Sequence, residues 1–363
     1  MHVALVAKDW WLGAELASHR ALAAALRARQ VELTAVWPDD APEDWLAAAG
    51  NRVLWRPGAS GRRRTQRLVD MAEPLRRVGV DVIHALDGEV WAGGAQLGER
   101  LGIPVLFSCD RAAEVAAADH YHKATQQGAA AFVAGTVALG EALTARLGVA
   151  VACVPPGIVT ADRESDTGAA PGEAAARSVL IRGDGSCDRE TLGLLRAIGQ
   201  VCAVGSSGPG MHFFYDGQGA DLHELWRAVR RLELLAQFSM VPAGLAGRQV
   251  LLRADVLIQP QAHGAVQAMT LAAMAHGAAV LARQDRWLDY LIHDQTAVVL
   301  ESPDVAEWRH WLERYLKDPA YFQALAARAQ RWVREHHNLE KQADLLAGLY
   351  QRLAGEAIPF PRR

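Results

Sequence analysis

The sequence predicts an α/β protein built as two Rossmann-like domains that face a central cleft. Three observations predict it. The chain opens with an apolar strand, a glycine-containing loop, a helix and a second strand. A stretch without apolar periodicity then breaks the pattern near the middle, and strand–helix alternation restarts beyond it. In the second half, Asp255 to Leu281 reads as a complete βαβ unit. At 363 residues the chain is long enough for two domains of ordinary size.

Taken in order, Val3–Val6 is a short strand, and a loop containing Gly13 follows it. Ala14–Arg29 is a helix with Leu16, His19, Leu22, Ala23 and Leu26 at helical spacing, and Glu32–Val36 is the next strand. Val53–Trp55 reads as another strand. The basic run Arg62-Arg63-Arg64, with Arg67, opens a helix as a solvated face; contact with a phosphate-bearing acceptor or a membrane surface is the alternative. Asp81–His84, Ile103–Phe107, Ala130–Ala134 and Val149–Val154 supply the remaining strands of the first domain. Thr160–Arg177, rich in Gly, Ala, Pro and acidic residues, is the break. It sets a first domain over 1–160, a linker over 161–177 and a second domain over 178–337. Beyond the break, Ser178–Arg182 is a strand, Glu190–Val201 a helix, His212–Tyr215 a strand and Leu222–Leu235 a helix. In the central unit, Val256–Ile258 ends at Pro260, a loop Gln261–Gly264 follows, and a small-residue helix over Ala265–His276 stops at Gly277. A loop at the carboxyl end of a parallel strand, opening onto a helix N-terminus, is where anionic ligands settle. The C-terminal third, Val305–Leu353, is helical and amphipathic.

Composition narrows the function classes. A formal net charge of −3 gives no general drive towards nucleic acid or anionic lipid. No apolar run approaches the ~20 residues of a membrane span, and Met1 leads directly into a strand with no signal peptide expected. Cys109, Cys153, Cys187 and Cys202 are far apart, with no C-x-x-C pair, so reduced thiols of a cytoplasmic protein are expected and a zinc site is not. His120 and His122 stand two apart in an alanine-rich helix, where they face different ways, so no metal is expected there either. Cys109 reads as a buried thiol rather than a nucleophile.

The segment from Pro260 to Val280 resembles the donor-site segment of the retaining GT-B glycosyltransferases, a superfamily that includes glycogen synthase and lipopolysaccharide mannosyltransferases. Their pattern runs roughly Pro-Ser-x-x-Glu-Gly-Phe-Gly, then Leu-Glu-Ala-Met-Ala-x-Gly-x-Pro-Val. Pro260, Leu271, Ala273-Met274-Ala275, Gly277 and Val280 match the frame; Gly264 and Ala272 stand where the two glutamates would be. Further matches run along the chain. Gly13 and Glu15 keep part of the opening Gly-Gly-x-Glu loop. Asp81–His84 resembles the family's "DVIHxH" strand end, and Pro155–Ile158 its "PNGV" turn. Asp216-Gly217 is close to "GDGP". Arg286–Asp289 and Asp294–Ala297 sit at "GGxxE" and "DGxTG". The resemblance implies the GT-B fold, with a last helix, 338–363, that crosses back onto the first domain.

It also implies a nucleotide-sugar donor, a saccharide or lipid-linked acceptor and no cofactor. Donor contacts would fall to Gly13, Gly183, Arg189, Asp216, Gly217, His263 and Gly264, while no catalytic residue is identifiable. Cations or helix N-termini must meet the diphosphate as the sugar bond breaks. In the family an arginine and a lysine serve it; here Asp184 falls at the first and Arg189 at the second. At about 5 Å and an effective dielectric near 20, an aspartate there would cost roughly 3 kcal/mol where attraction is needed. Cys109 or Asp110 stands where the family has a histidine facing the donor sugar. Two functions are therefore expected side by side. One is a glycosyltransferase with a diverged donor site, cytoplasmic or peripheral at the inner face of the membrane. The other is a catalytically silent relative that binds or regulates a protein partner. On packing grounds, Gly264 and Ala272 are expected to let the helix lie close to the strand.

Overall fold

A computed structural model describes residues 1–7, 14–37, 51–54, 62–124, 130–159, 177–204, 210–217, 222–241 and 250–356. The first lobe alternates β1 (His2–Val6), α1 (Ala14–Ala28), β2 (Glu32–Trp37), β3 (Asn51–Leu54), α2 (Arg62–Arg77), β4 (Val82–Ala85), α3 (Trp91–Leu101), β5 (Val105–Cys109), α4 (Ala112–Ala124), β6 (Ala130–Ala134), α5 (Val137–Leu147) and β7 (Ala152–Cys153). The second alternates β8 (Arg177–Gly183), α6 (Arg189–Val204), β9 (Met211–Gly217), α7 (His223–Arg231), β10 (Phe238–Met240), β11 (Val256–Gln259), α8 (Ala268–Ala275), β12 (Ala279–Arg283) and β13 (Val298–Leu300). Three helices close the chain: α9 (Val305–Lys317), α10 (Pro319–His336) and α11 (Leu339–Glu356).

Both sheets are parallel. Their orders are β3-β2-β1-β4-β5-β6-β7 and β10-β9-β8-β11-β12-β13. Each lobe therefore begins at its centre, builds outward on one side and then crosses to the other. The switch points lie between β1 and β4 and between β8 and β11, where connections diverge and leave a crevice at the strands' carboxyl ends. Central strands are covered on both faces, so β1 and β4 are buried along their whole length, mostly apolar with one buried histidine each, His2 and His84. In lobe 2, α6 and α9 cover one face, and α8 with α10 the other.

The last helix, α11, lies against the first lobe. Ala343, Leu346, Tyr350 and Leu353 of α11 pack into the core that α1 and the first sheet share. Arg29 adds ion pairs to Glu340 and Asp344 at 2.9 and 2.6 Å. The crossover needs Gly157, because a Cβ there would lie 2.5 Å from the Leu339 backbone. His337, buried, faces the Pro156 carbonyl at 2.9 Å, and Ile158 pairs with Asn338.

Several boundaries shift from the sequence reading. Arg177 is not linker but the first residue of β8, paired with Met211; the rest of the expected linker, and residues 357–363 of the expected crossing segment, lie outside the described residues. β7 is confined to Ala152–Cys153 rather than Val149–Val154. The helix expected from Ala265 starts only at Ala268. Its missing turn is extended backbone recruited by the other lobe, with Ala265 bridged to Arg111. A tertiary contact overrides a local helical preference there. Gly277 stops α8 in the left-handed conformation (φ 78°), which a glycine adopts without steric cost.

Candidate functional site

The mouth of lobe 2 is formed by the exits of β8, β9, β11 and β12. Arg182, the last charged residue of β8, points into the protein and donates to Asp216 on β9 at 2.9 Å, with both side chains buried. Burial pushes the Asp216 carboxyl up, and the Arg182 guanidinium pulls against that shift. At the β12 exit, Arg283 is ion-paired with Glu190 in the first turn of α6. Two cations at the mouth are thus neutralised by the chain's own carboxylates.

A side-chain amide organises the β8–α6 loop. Gln261 is buried, and its Nε2 reaches Asp184 Oδ1 (3.0 Å), Ser186 Oγ (2.9 Å) and Asp188 Oδ2 (2.8 Å), while its Oε1 accepts from the Asp184 amide (3.1 Å). Asp188 also accepts from the Thr191 amide at 2.8 Å, so a carboxylate of the chain caps the N-terminus of α6. Burial of Asp184 raises its carboxyl, but bonds from Ser186 and Gln261, aided by His263, outweigh that and hold it below its usual range. His263 is pushed down by burial, partly offset by Asp184.

Gly264 sits at φ 58°, a left-handed conformation that disfavours a residue with Cβ. A Cβ would lie 3.3 Å from Ala112 Cβ and 3.5 Å from the Trp287 ring. Its amide donates to Asp285 Oδ2 at 2.7 Å, and its carbonyl accepts from the Ala112 amide, also at 2.7 Å. The glycine is therefore required by backbone geometry and a contact with lobe 1, not by helix–strand packing as expected. Ala272 does fit the packing account: it is buried in the core between α8 and its neighbours, where a glutamate would be a buried charge.

Lobe 1 presents the exit of β5. Glu114 is buried and accepts amide protons from Gly88 (2.8 Å), Asp110 (2.8 Å) and Arg111 (3.0 Å), which fixes the turn Asp110–Ala112. Burial raises the Glu114 carboxyl, opposed by those three bonds. Cys109 is buried and its thiol is pushed far up by that burial, which removes it as a nucleophile.

The positions expected to meet a donor separate on this geometry. His263 and Gly264 share the β11 exit loop. Arg189 is exposed at the first turn of α6. Gly183 and Gly217 are covered by Tyr215, whose ring or hydroxyl would meet a Cβ at 2.0 and 2.7 Å. Asp216 is committed to Arg182. Gly13 lies outside the described residues. Arg182, Gln261, Asp285 and Glu114 were not singled out by sequence. Arg182 carried the one available signal, a lone charge at the end of an apolar strand. Among the described residues, no group of three or more His, Cys, Asp or Glu side chains is arranged to hold a metal ion, the cysteines are free thiols, and no helix is long and apolar enough to cross a membrane.

Residues 203–348 match the family model described as Glycosyl transferase-like. The whole chain is similar in fold to a glycosyltransferase from Rickettsia africae ESF-5, at TM-score 0.75 and 10% identity, covering 98% of this chain and 99% of that chain. It is similar to Anabaena Alr3699/HepE in complex with UDP and glucose, at TM-score 0.77 and 13% identity, covering 97% and 100%. Sucrose-phosphate synthase from Thermosynechococcus elongatus gives TM-score 0.73 and 16% identity, covering 98% and 99%. No curated protein matches the chain.

Proposed function

We propose that this chain, a glycosyltransferase-like protein of the GT-B superfamily, takes a nucleotide sugar at the mouth of lobe 2 and transfers the sugar to a saccharide or lipid-linked acceptor lodged against lobe 1. One observation carries the reading: loops at the carboxyl ends of two open parallel sheets face each other, Arg111 after β5 bridging Ala265 after β11, and the matched residues 203–348 span β9 to β13 of the second sheet. A neighbour of this fold that holds UDP and glucose supports the choice of ligand class. Arg189, exposed at the start of α6, is the cation available to the diphosphate. His263 and the Asp184 carboxylate beside it meet sugar or ribose hydroxyls; Asp184 accepts hydrogen bonds, and His263, held neutral by burial, can donate one and accept another.

Isothermal titration against a panel of nucleoside diphosphates and nucleotide sugars tests this. Binding that falls when Arg189→Ala is introduced supports it. No heat from any member at millimolar ligand rejects it.

A second reading, a catalytically silent protein that binds or regulates a partner, is favoured by a different observation. Arg182 and Arg283 are already neutralised, and Asp188 already caps α6. Sugar transfer that Arg189→Ala abolishes would exclude it. On either reading we propose a cytoplasmic chain, with peripheral association at the inner face of the membrane as the alternative.

A further inference from the structure

The two lobes touch through atoms that a ligand in the cleft would need. Arg111 at the β5 exit and Ala265 at the β11 exit form an antiparallel bridge. The Ala112 amide donates to the Gly264 carbonyl at 2.7 Å, and the Val266 amide donates to the Asp110 carbonyl at 2.8 Å. A third bond lies to one side: Asp289, from lobe 2, accepts from the Val137 amide at 2.7 Å, in the first turn of α5 in lobe 1. Apolar groups close the contact. Val266 and Trp287, both from lobe 2, pack on the core of lobe 1. Gly135 permits that approach, since a Cβ there would lie 2.2 Å from Asp110 Oδ1 and 3.1 Å from Val266 Cγ2.

We propose that these groups form a clasp that holds the lobes closed by the chain's own contacts, so that a ligand enters the cleft only after the clasp releases. The inference deepens the donor-site reading and rests on it for what the clasp gates. The amides at this point that would face an anionic group are held from within: Gly264 by Asp285, Gln267 by the Tyr290 hydroxyl and Val137 by Asp289. The loop that would reach a sugar from lobe 2 is pinned to the turn that would reach it from lobe 1. Closure is therefore autoinhibitory, and the glycine at 264 is part of the device, because its left-handed backbone aims one polar group at Asp285 and the other across the cleft. Asp289 acts on a helix N-terminus, where a carboxylate is electrostatically favoured, so its removal loosens the clasp without emptying a core.

Two measurements on the full chain test the clasp. In amide hydrogen exchange, Ala112, Val266 and Val137 should be protected well above exposed loops. Asp289→Ala should lower protection at all three by about tenfold together, while β4 and β11 keep theirs as the control for folding. Exchange of Ala112 and Val266 at the rate of free loops in the unmodified protein overturns the proposal, as does an Asp289→Ala effect confined to Val137. The second measurement pairs Arg111→Cys with Ala265→Cys. Residues that bridge without bonding each other lie close enough for a disulfide. The pair should oxidise readily, the oxidised protein should lose affinity for UDP-glucose, and reduction should restore it. A pair that stays reduced, or an oxidised protein that binds as well as the reduced one, overturns the gate. If neither form binds any nucleotide sugar while the exchange pattern appears as expected, the clasp stands and the donor reading fails.

Discussion

At the centre of lobe 1 a histidine is buried without charge; at the centre of lobe 2 an arginine is buried with it. His84, on β4, lies between the Tyr350 hydroxyl of the crossing helix (2.6 Å) and the Ser108 hydroxyl of β5 (2.8 Å). Burial, with His19 nearby, lowers its pKa to about 3, so the ring is neutral. Arg182, on β8, cannot shed its proton and is matched instead by Asp216. The neutral trio costs little to desolvate and ties α11 to the first sheet. The ion pair costs more and is stable only while both partners are present. The lobe expected to receive an anionic donor has thus enclosed its central cation, while the lobe expected to receive the acceptor has used a titratable group as a structural tie.

The sharpest way to break this comparison is to remove one charge. Arg182→Met should destabilise the protein by about 3–5 kcal/mol in urea titration, because Asp216 is left buried and uncompensated, and adding Asp216→Leu should recover most of the loss. An Arg182→Met cost near zero would mean that the pair is solvated and available to a ligand.

Acid tests the other lobe. The folded pKa of His84 lies below its unfolded value of about 6.5, so the unfolded chain binds more protons between pH 6.5 and 3. The contribution is therefore complete above about 6.5 and is lost as pH falls. From pH 7 to pH 5 this amounts to about 2 kcal/mol, visible as a falling urea midpoint that His84→Leu makes shallower but does not flatten, because burial lowers His19 to about 3 as well. Tyr350→Phe removes one partner of the ring and should cost about 1–3 kcal/mol at pH 7, read by the same titration.

Smaller effects sharpen the account of the donor side. Gly264→Glu restores the residue type of the resembled motif yet should destabilise by about 1–2 kcal/mol in urea titration, because the backbone is left-handed there. Arg189→Ala, at an exposed site, should change stability by no more than about 0.5 kcal/mol while weakening nucleoside diphosphate binding.

What was legible and what was not divide along one line. The alternation of strands and helices and the frame residues Pro260, Leu271 and Gly277 are local patterns, and the structure follows them. Asp289 meets Val137 across 152 residues of chain, and Gln261 meets Asp184 across 77. Neither pairing leaves a periodic mark, because each depends on which strands are neighbours and on how the two lobes are turned towards each other. Position 264 shows the difference within one residue. The sequence by itself placed a glycine where the resembled motif has a carboxylate. Only the tertiary structure decided why. The loop turns through a left-handed residue to hydrogen-bond with Asp285 and with the opposite lobe, and a side chain with Cβ would strain that turn and crowd Ala112 and Trp287.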